Sequence, residues 1–138
     1  MACSGADLSW PSWLVEDLER NDADGRVGTR LLSETGRVRV WSIDLAPGER
    51  LGFHRHVLDY FWTALTDGRA LSRRADGTTL EVVYRKGATE HFRYAKGEYK
   101  VHDLENTGAG MLSFLTVEFL DSENAPLTLG RTPESAPV

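Results

Sequence analysis

Two histidines one residue apart, His54 and His56, are the side chains whose spacing first suggests chemistry. Residues i and i+2 of a β-strand point to the same face, so the two imidazoles would lie side by side. A strand fixes their separation at little entropic cost, and imidazole nitrogens bind divalent transition metals. The pair alone is weak support for a metal site, because two surface or packed histidines would have the same spacing.

A third histidine lies in another segment with the character of a strand. His102 belongs to "YKVHDLEN", far along the chain from the histidine pair, which follows the Pro47-Gly48 turn. A β-barrel can bring two such distant segments together. We therefore predict His54, His56 and His102 as the ligands of one metal ion.

The chain around these histidines has the pattern of short strands. Three features are typical of β-structure. They are the alternation of apolar and polar residues in "GRVRVWSIDL", the continuous apolar run in "MLSFLTVEFL" and the turn at Asp76-Gly77. We expect about eight to ten strands with frequent turns. The segment "SWLVEDLERN" is the one candidate helix, capped by Ser12 and ended by Asn21. The predicted fold class is all-β, a sandwich or barrel with a short N-terminal helix.

Length and composition limit the kinds of protein that fit. The 138 residues suit one domain over 31–121, with an N-terminal extension over 1–30 and a C-terminal tail over 122–138. A net charge of −5 argues against nucleic acid as a partner. We find neither a signal peptide nor a membrane-spanning run, and the one cysteine, Cys3, excludes an internal disulfide. A cytoplasmic location is the expectation.

The histidine spacing resembles the two sequence motifs of the cupin superfamily. The matching residues are Gly48, His54, His56 and Gly68 in the first motif, and Gly87, His102 and Asn106 in the second. The resemblance covers roughly residues 36 to 120 and is nearest to single-domain bacterial cupins associated with β-alanine degradation. It implies a jelly-roll β-barrel with one metal ion in its mouth, commonly in a homodimer.

The first motif departs from the cupin pattern at its glutamate. Tyr60 and Phe61 occupy the two positions where that carboxylate could stand. The resemblance then implies three neutral histidines and an ion whose +2 charge is not compensated by the protein. Such a site suits Fe(II) or Zn(II) foremost, with Ni(II) or Cu(II) as alternatives, and favours a small anionic or enolisable ligand. Cysteine dioxygenase and the diketone-cleaving dioxygenases of the superfamily also lack the glutamate.

The second motif departs from the pattern between its glycine and its histidine. The interval from Gly87 to His102 is longer than the motif allows, which predicts an extended hairpin at "RYAKGEY". Other alignments would place Glu98 or Lys100 in the histidine position. We prefer His102, because its spacing to Asn106 agrees with the motif.

Two further residues are candidates for proton transfer. Tyr60, together with Trp62, is predicted to share the inward orientation of the missing glutamate, so its hydroxyl could act as an acid or base. A core tyrosine at the barrel mouth is the alternative of equal weight. His91 could be a fourth ligand, a neighbour of the ligands or a strand histidine satisfied by the backbone, and the last two are favoured.

Three functions are compatible with these residues. We favour a metalloenzyme with dioxygenase-, isomerase- or lyase-type chemistry on a small oxygenated molecule. A non-catalytic module that binds a metal or small ligand is the alternative. A metal-free fold is disfavoured, because all three histidines are retained.

Overall fold

The computed structural model describes residues 10–129, in which one helix and nine strands form. Helix α1 spans Ser12–Asn21. The strands are β1 (Arg30–Glu34), β2 (Val38–Leu45), β3 (Arg50–His56), β4 (Tyr60–Ala64), β5 (Gly68–Arg73), β6 (Thr79–Tyr84), β7 (Thr89–Phe92), β8 (Lys100–Asn106) and β9 (Leu112–Phe119). Cys3 and the ends of the predicted extension and tail lie outside the described residues.

The strands form two antiparallel sheets that face each other. The larger sheet has the order β1-β2-β9-β4-β7, and the smaller has the order β3-β8-β5-β6. Apolar side chains from both inner faces pack into one core, which consists of Ile43, Leu45, Ala64, Ala70, Tyr84, Leu104, Leu112 and Phe114. The all-β jelly-roll prediction is confirmed. Within the described residues no strand pairing joins the two sheets, so they are not closed into a continuous barrel.

Strand β9 lies in the middle of the larger sheet, where it pairs with both β2 and β4. Its residues alternate between buried and half-buried along most of its length. Leu112 and Phe114 point into the core between the sheets, where they are almost fully buried. The prediction of a buried core strand from "MLSFLTVEFL" is confirmed.

The connections between strands agree with the sequence at one hairpin and differ at the next. Strands β5 and β6 form the predicted hairpin, whose turn places Gly77 at a φ of +93°, a conformation that favours glycine. The sequence predicts that the segment 93–99 extends a hairpin. Instead it links β7 of the larger sheet to β8 of the smaller one, so it crosses between the sheets.

Helix α1 covers the outer face of the smaller sheet. Leu14 and Leu18 pack against Phe53 and Val101 in a second apolar cluster. The predicted helix range is confirmed, but Ser12 is its first residue and not its cap: the position before it is a proline with no side-chain capping bond. Among the described residues no helix is both long and apolar enough to cross a membrane.

A network of ion pairs ties this helix to the sheet. The side chain of Asp103 on β8 is fully buried and accepts hydrogen bonds from Arg50 at 2.7 Å and Arg73 at 2.8 Å. Arg50 also donates to Asp17 of the helix at 2.8 Å. These contacts and the apolar cluster fix the back of the strands whose front carries the histidines.

Candidate metal centre

The three predicted ligands converge on the inner face of the smaller sheet. His54 on β3 lies directly opposite His102 on the neighbouring strand β8, and His56 follows two residues later on β3. One ligand nitrogen from each imidazole lies within 4.8 Å of the other two. The structure therefore brings together the three histidines predicted as ligands, and the cluster could hold a metal ion.

Hydrogen bonds orient two of the three rings. Nδ1 of His54 lies 2.8 Å from the carbonyl oxygen of Gly52, which assigns the proton to Nδ1. Nδ1 of His102 lies 3.0 Å from Oγ of Ser72, whose own proton goes to the carbonyl of Asp103. Both rings therefore keep a free lone pair on Nε2. Outer hydrogen bonds of this kind fix the tautomer of metal-binding histidines.

The third ring provides a direct test of whether an ion fits. Nε2 of His56 is 3.1 Å from Nε2 of His102. Two nitrogens at that separation subtend about 95° at a shared ion with bonds of about 2.1 Å. Nδ1 of His56 is buried without a hydrogen-bond partner among the described residues, so the approach of Nε2 to His102 is the one polar contact of this ring there. The donor set and its spacing fit one divalent transition-metal ion.

Burial keeps the three imidazoles neutral. It lowers the pKa of His54 to about 4 and holds the pKa of His56 and of His102 well below the usual range. The positive charge of nearby Lys100 lowers the pKa of each ring further. Neutral rings offer lone pairs at physiological pH without first releasing a proton.

The imidazoles face an internal cavity of about 50 Å³. It lies between the two sheets and is lined mainly by apolar and aromatic side chains, among them Val27, Ile43, Leu51, Trp62, Tyr84, Leu104 and Phe114. Since a single water needs roughly 10–15 Å³ of such space, the cavity holds only a few water-sized groups.

Tyr60 lies beside the cluster, as its predicted inward orientation requires. Its ring stacks on His56 with centroids 4.2 Å apart, and it lines the cavity together with Trp62. The Tyr60 hydroxyl accepts a hydrogen bond of 2.8 Å from Nζ of Lys100. Burial raises the pKa of Tyr60 well above its usual value, so the phenol is neutral.

His91 is not brought to the cluster. It is exposed on the outer face of the larger sheet, where it pairs with Phe61 across β4 and β7. The two ring centroids are 5.1 Å apart. Strand parity explains the position: Tyr60 and Trp62 point inward, so Phe61 and its partner point outward. A role for His91 in ligation or proton transfer has no support in this geometry.

Lys100 and Glu98, the other candidates for the third ligand position, do not belong to the histidine cluster. Lys100 lies opposite His56 across the β3–β8 pair and contacts the site through Tyr60. The carboxylate of Glu98 accepts a hydrogen bond from the backbone of Ala95 within its own turn.

Two residues with clear roles were not found from the sequence. Ser72 orients His102 from β5, and Gly52 orients His54 through its carbonyl. Neither residue stands out in the sequence. Serines are common in strands, and every residue has a backbone carbonyl that could accept a hydrogen bond. Only the inward parity of Ser72 in "RALSRR" could have suggested it.

Asn106, the last residue matched to the cupin motifs, has a structural role. Its buried amide donates to the carbonyls of Leu45 and Gly110, and its oxygen accepts from the backbone of Gly108. The side chain thus holds the end of β8 against the end of β2 and the following turn.

No family model matches the sequence, and the comparison with curated proteins gives no match. Solved structures do resemble it. A cupin domain from Bordetella pertussis Tohama I aligns with a TM-score of 0.57 and 24% identity, over 70% of this chain and 95% of that one. The chain has the cupin fold.

Two further cupin-fold structures give the same result. A conserved protein with a double-stranded β-helix domain from Klebsiella pneumoniae aligns with a TM-score of 0.54 and 22% identity, over 74% of this chain and 82% of that one. A cupin family protein from Methanocaldococcus jannaschii aligns with a TM-score of 0.50 and 20% identity, over 65% and 76%. A shared fold hosts many activities, so the chemistry must be argued from the site.

Proposed function

We propose that this cupin-fold protein is a metal-dependent enzyme acting on a small oxygenated molecule that is anionic or enolisable. The observation that carries the proposal is the convergence on one cavity of three imidazoles, two buried and one half-buried, with ligand nitrogens within 4.8 Å of one another. The absence of a carboxylate from this cluster of described residues supports an anionic ligand, because the charge of a divalent ion would otherwise remain uncompensated.

The residues around the cavity have distinct tasks in this proposal. A bound Fe(II) or Zn(II) would supply Lewis-acid polarisation of the ligand oxygens or, as iron, chemistry with dioxygen. His54 and His102 would hold the ion with tautomers set by Gly52 and Ser72. Tyr60 is neutral and accepts a hydrogen bond from Lys100, and in this proposal its own proton is the one given to the substrate.

The reaction class within this proposal is oxygen-dependent cleavage, isomerisation or lyase chemistry. The apolar lining of the cavity supports all three, since it excludes bulk water from the reacting group. Iron in the purified protein would favour a dioxygenase, whereas zinc would favour carbonyl or proton-transfer chemistry.

The proposal also covers the partner of the protein and its cellular compartment. The net charge of −5 supports a small molecule over nucleic acid as the partner. The single cysteine supports the cytoplasm as the compartment.

The metal content of histidine variants tests the site. We expect the purified protein to contain about one transition-metal ion per chain, and His54→Ala and His102→Ala each to lose most of it. His91→Ala is the matched control, because this histidine lies on the outer face and its loss should leave the metal content unchanged. Unchanged metal in both ligand variants would contradict the site.

Turnover tests the enzymatic part of the proposal. Oxygen consumption should be measured on iron-loaded protein with a panel of β-diketones, thiols and hydroxy acids, and product formation on zinc-loaded protein. Turnover of one class, lost in His102→Ala, is the expected result. Tight retention of a ligand without turnover on any metal would instead identify a binding module.

A further inference from the structure

The size of the cavity limits how much of a ligand can lie beside the histidines. Its volume of about 50 Å³ accommodates a metal-binding group of a few atoms. Any larger ligand must therefore extend out of the cavity, past the residues that form its wall.

Lys100 and Tyr60 stand between this cavity and a much larger groove. Tyr60 lines the cavity, and Lys100, whose Nζ donates to the Tyr60 hydroxyl at 2.8 Å, lines the groove. The groove has a volume of about 720 Å³ and is lined by residues 74–76, 92–94 and 97–101. Its floor is aromatic: Nζ of Lys100 lies 4.0 Å from the centroid of the Phe92 ring.

Three cationic side chains line the groove, and two of them, Arg74 and Lys100, are neighbours of His102 across and along the sheet; the third is Arg93. In the part of the chain that the structure describes, no acidic oxygen lies within 4.0 Å of the charged nitrogens of Arg74 or Lys100. The two carboxylates of the groove are engaged by their own turns: Asp76 accepts from the backbone of Thr78, and Glu98 from that of Ala95.

The two cations lie close to the three-histidine site. Arg74 forms an isolated β-bridge with His102, and Lys100 is two residues before that histidine on β8. The contact with Tyr60 uses only one of the three N–H donors of the ammonium group. A half-buried cation that forms no ion pair attracts an anion, and a divalent ion beside it adds to that attraction.

We propose that Lys100 and Arg74 form an anion subsite of the three-histidine centre, so that the ligand is a small oxygen chelator bearing a separate carboxylate. The chelating group lies in the cavity and the carboxylate lies in the groove against the two cations. This inference rests on the proposed metal site and adds the second charged group of the substrate.

Two hydroxamates that differ by one carboxylate test the subsite. Acetohydroxamate offers only the chelating group, whereas the monohydroxamate of succinic acid adds a carboxylate at its far end. Titration calorimetry on the full chain loaded with Zn(II), which has no redox chemistry, gives the affinity for each. We expect the carboxylate-bearing probe to bind about tenfold more tightly, the contribution of one charge-assisted hydrogen bond.

Variants separate the subsite from the metal. Lys100→Met keeps the apolar stem, and it should reduce the preference, measured as the ratio of the two affinities, to about threefold or less. Arg74→Gln, at an exposed position, should also reduce the preference, which provides a second variant with little risk to folding. Lys96→Met is the matched control: Lys96 is exposed in the same connection and does not line the groove.

Failure of the subsite and failure of the metal site give different results. Equal affinity of Zn(II)-loaded wild-type protein for both hydroxamates would overturn the subsite alone. So would an equal loss of affinity for both probes in Lys100→Met and no loss in Arg74→Gln. A chain that binds no Zn(II) would overturn the proposed function, and the subsite with it.

Discussion

Each imidazole of the three-histidine centre is held by a different kind of neighbour. His54 is oriented by a backbone carbonyl, His102 by the hydroxyl of Ser72, and His56 by its stack on Tyr60. Only the second of these contacts is a side-chain hydrogen bond that a single substitution removes without changing the packing. Ser72 is therefore the most informative position next to the ligands.

Ser72→Ala should weaken metal binding without removing a ligand. The variant leaves Nδ1 of His102 without its acceptor, so the ring loses its fixed tautomer and orientation. Loss of such an outer contact typically lowers metal affinity by about 10- to 100-fold. Competition with a chromophoric chelator measures the change, and Ser113→Ala, on the opposite sheet and bonded to Asp44, is the control. Equal affinities in the two variants would contradict the role of Ser72.

Glu118 gives a prediction about pH. Its carboxyl accepts a 2.8 Å hydrogen bond from the indole of Trp41, and burial raises its pKa from 4.5 to about 7. Between those values the folded protein keeps a proton that the unfolded chain releases, so stability falls as pH rises. Relative to Glu118→Gln, the free energy of unfolding of wild type should fall by about 3 kcal/mol between about pH 4 and pH 8. Urea denaturation at several pH values measures it, and parallel curves would refute the prediction.

At the scale of secondary-structure elements, the helix and the smaller sheet depend on Asp103. This carboxylate is fully buried and bonds two arginines, one of which also holds helix α1 through Asp17. Asp103→Asn removes the charge but keeps the shape, which leaves Arg50 and Arg73 without their shared anion. We expect a loss of about 3–5 kcal/mol in the free energy of unfolding. Asp44→Asn, at an exposed position, should change it by less than about 0.5 kcal/mol.

The elements differ in how far sequence predicts them. Helix α1, the β5–β6 hairpin and the buried strand β9 follow from local patterns: a helical apolar period, an Asp-Gly turn and a continuous apolar run. The pairing of β9 with both β2 and β4 joins distant segments, and no local pattern encodes it. The prediction for the segment 93–99 is wrong for the same reason, because whether a turn closes a hairpin depends on the sheet that the next strand joins.

The candidate site follows the same rule. The grouping of His54 with His56 required only strand parity, and the addition of His102 required the fold that the motifs implied. The outward position of His91 could have been predicted only by knowing that its strand pairs with β4. Ser72 and Lys100 reach the site through tertiary contacts, which residue spacing does not record.

At the scale of the whole molecule, charge is distributed unevenly. The chain has a net charge of −5, yet the proposed metal, Lys100 and Arg74 would make one end of the fold positive. A positive site on a chain of net negative charge attracts anionic ligands, and dissolved salt screens that attraction. Ligand association should therefore slow as salt is added.

We propose that the chain forms the homodimer that the cupin resemblance implies, and its mass in solution tests this. Apolar side chains are exposed on the outer strands, with Leu32 on β1 exposed at 44% and Val83 on β6 at 77%. A second copy covering one of these edges would remove such side chains from water. Sedimentation equilibrium should give twice the 15.4 kDa of one chain. A single-chain mass at micromolar concentration would contradict the dimer.

His54 and His102 face each other across adjacent strands, and this register has a thermodynamic consequence. An ion coordinated by both rings would cross-link β3 and β8, because a shift in the register of either strand would move one ligand nitrogen away from the ion. The free energy of metal binding would then add to the free energy needed to unfold these two strands locally. In deuterium exchange, stripping the ion with a chelator should expose the amides of these two strands while those of β2 and β9 stay protected.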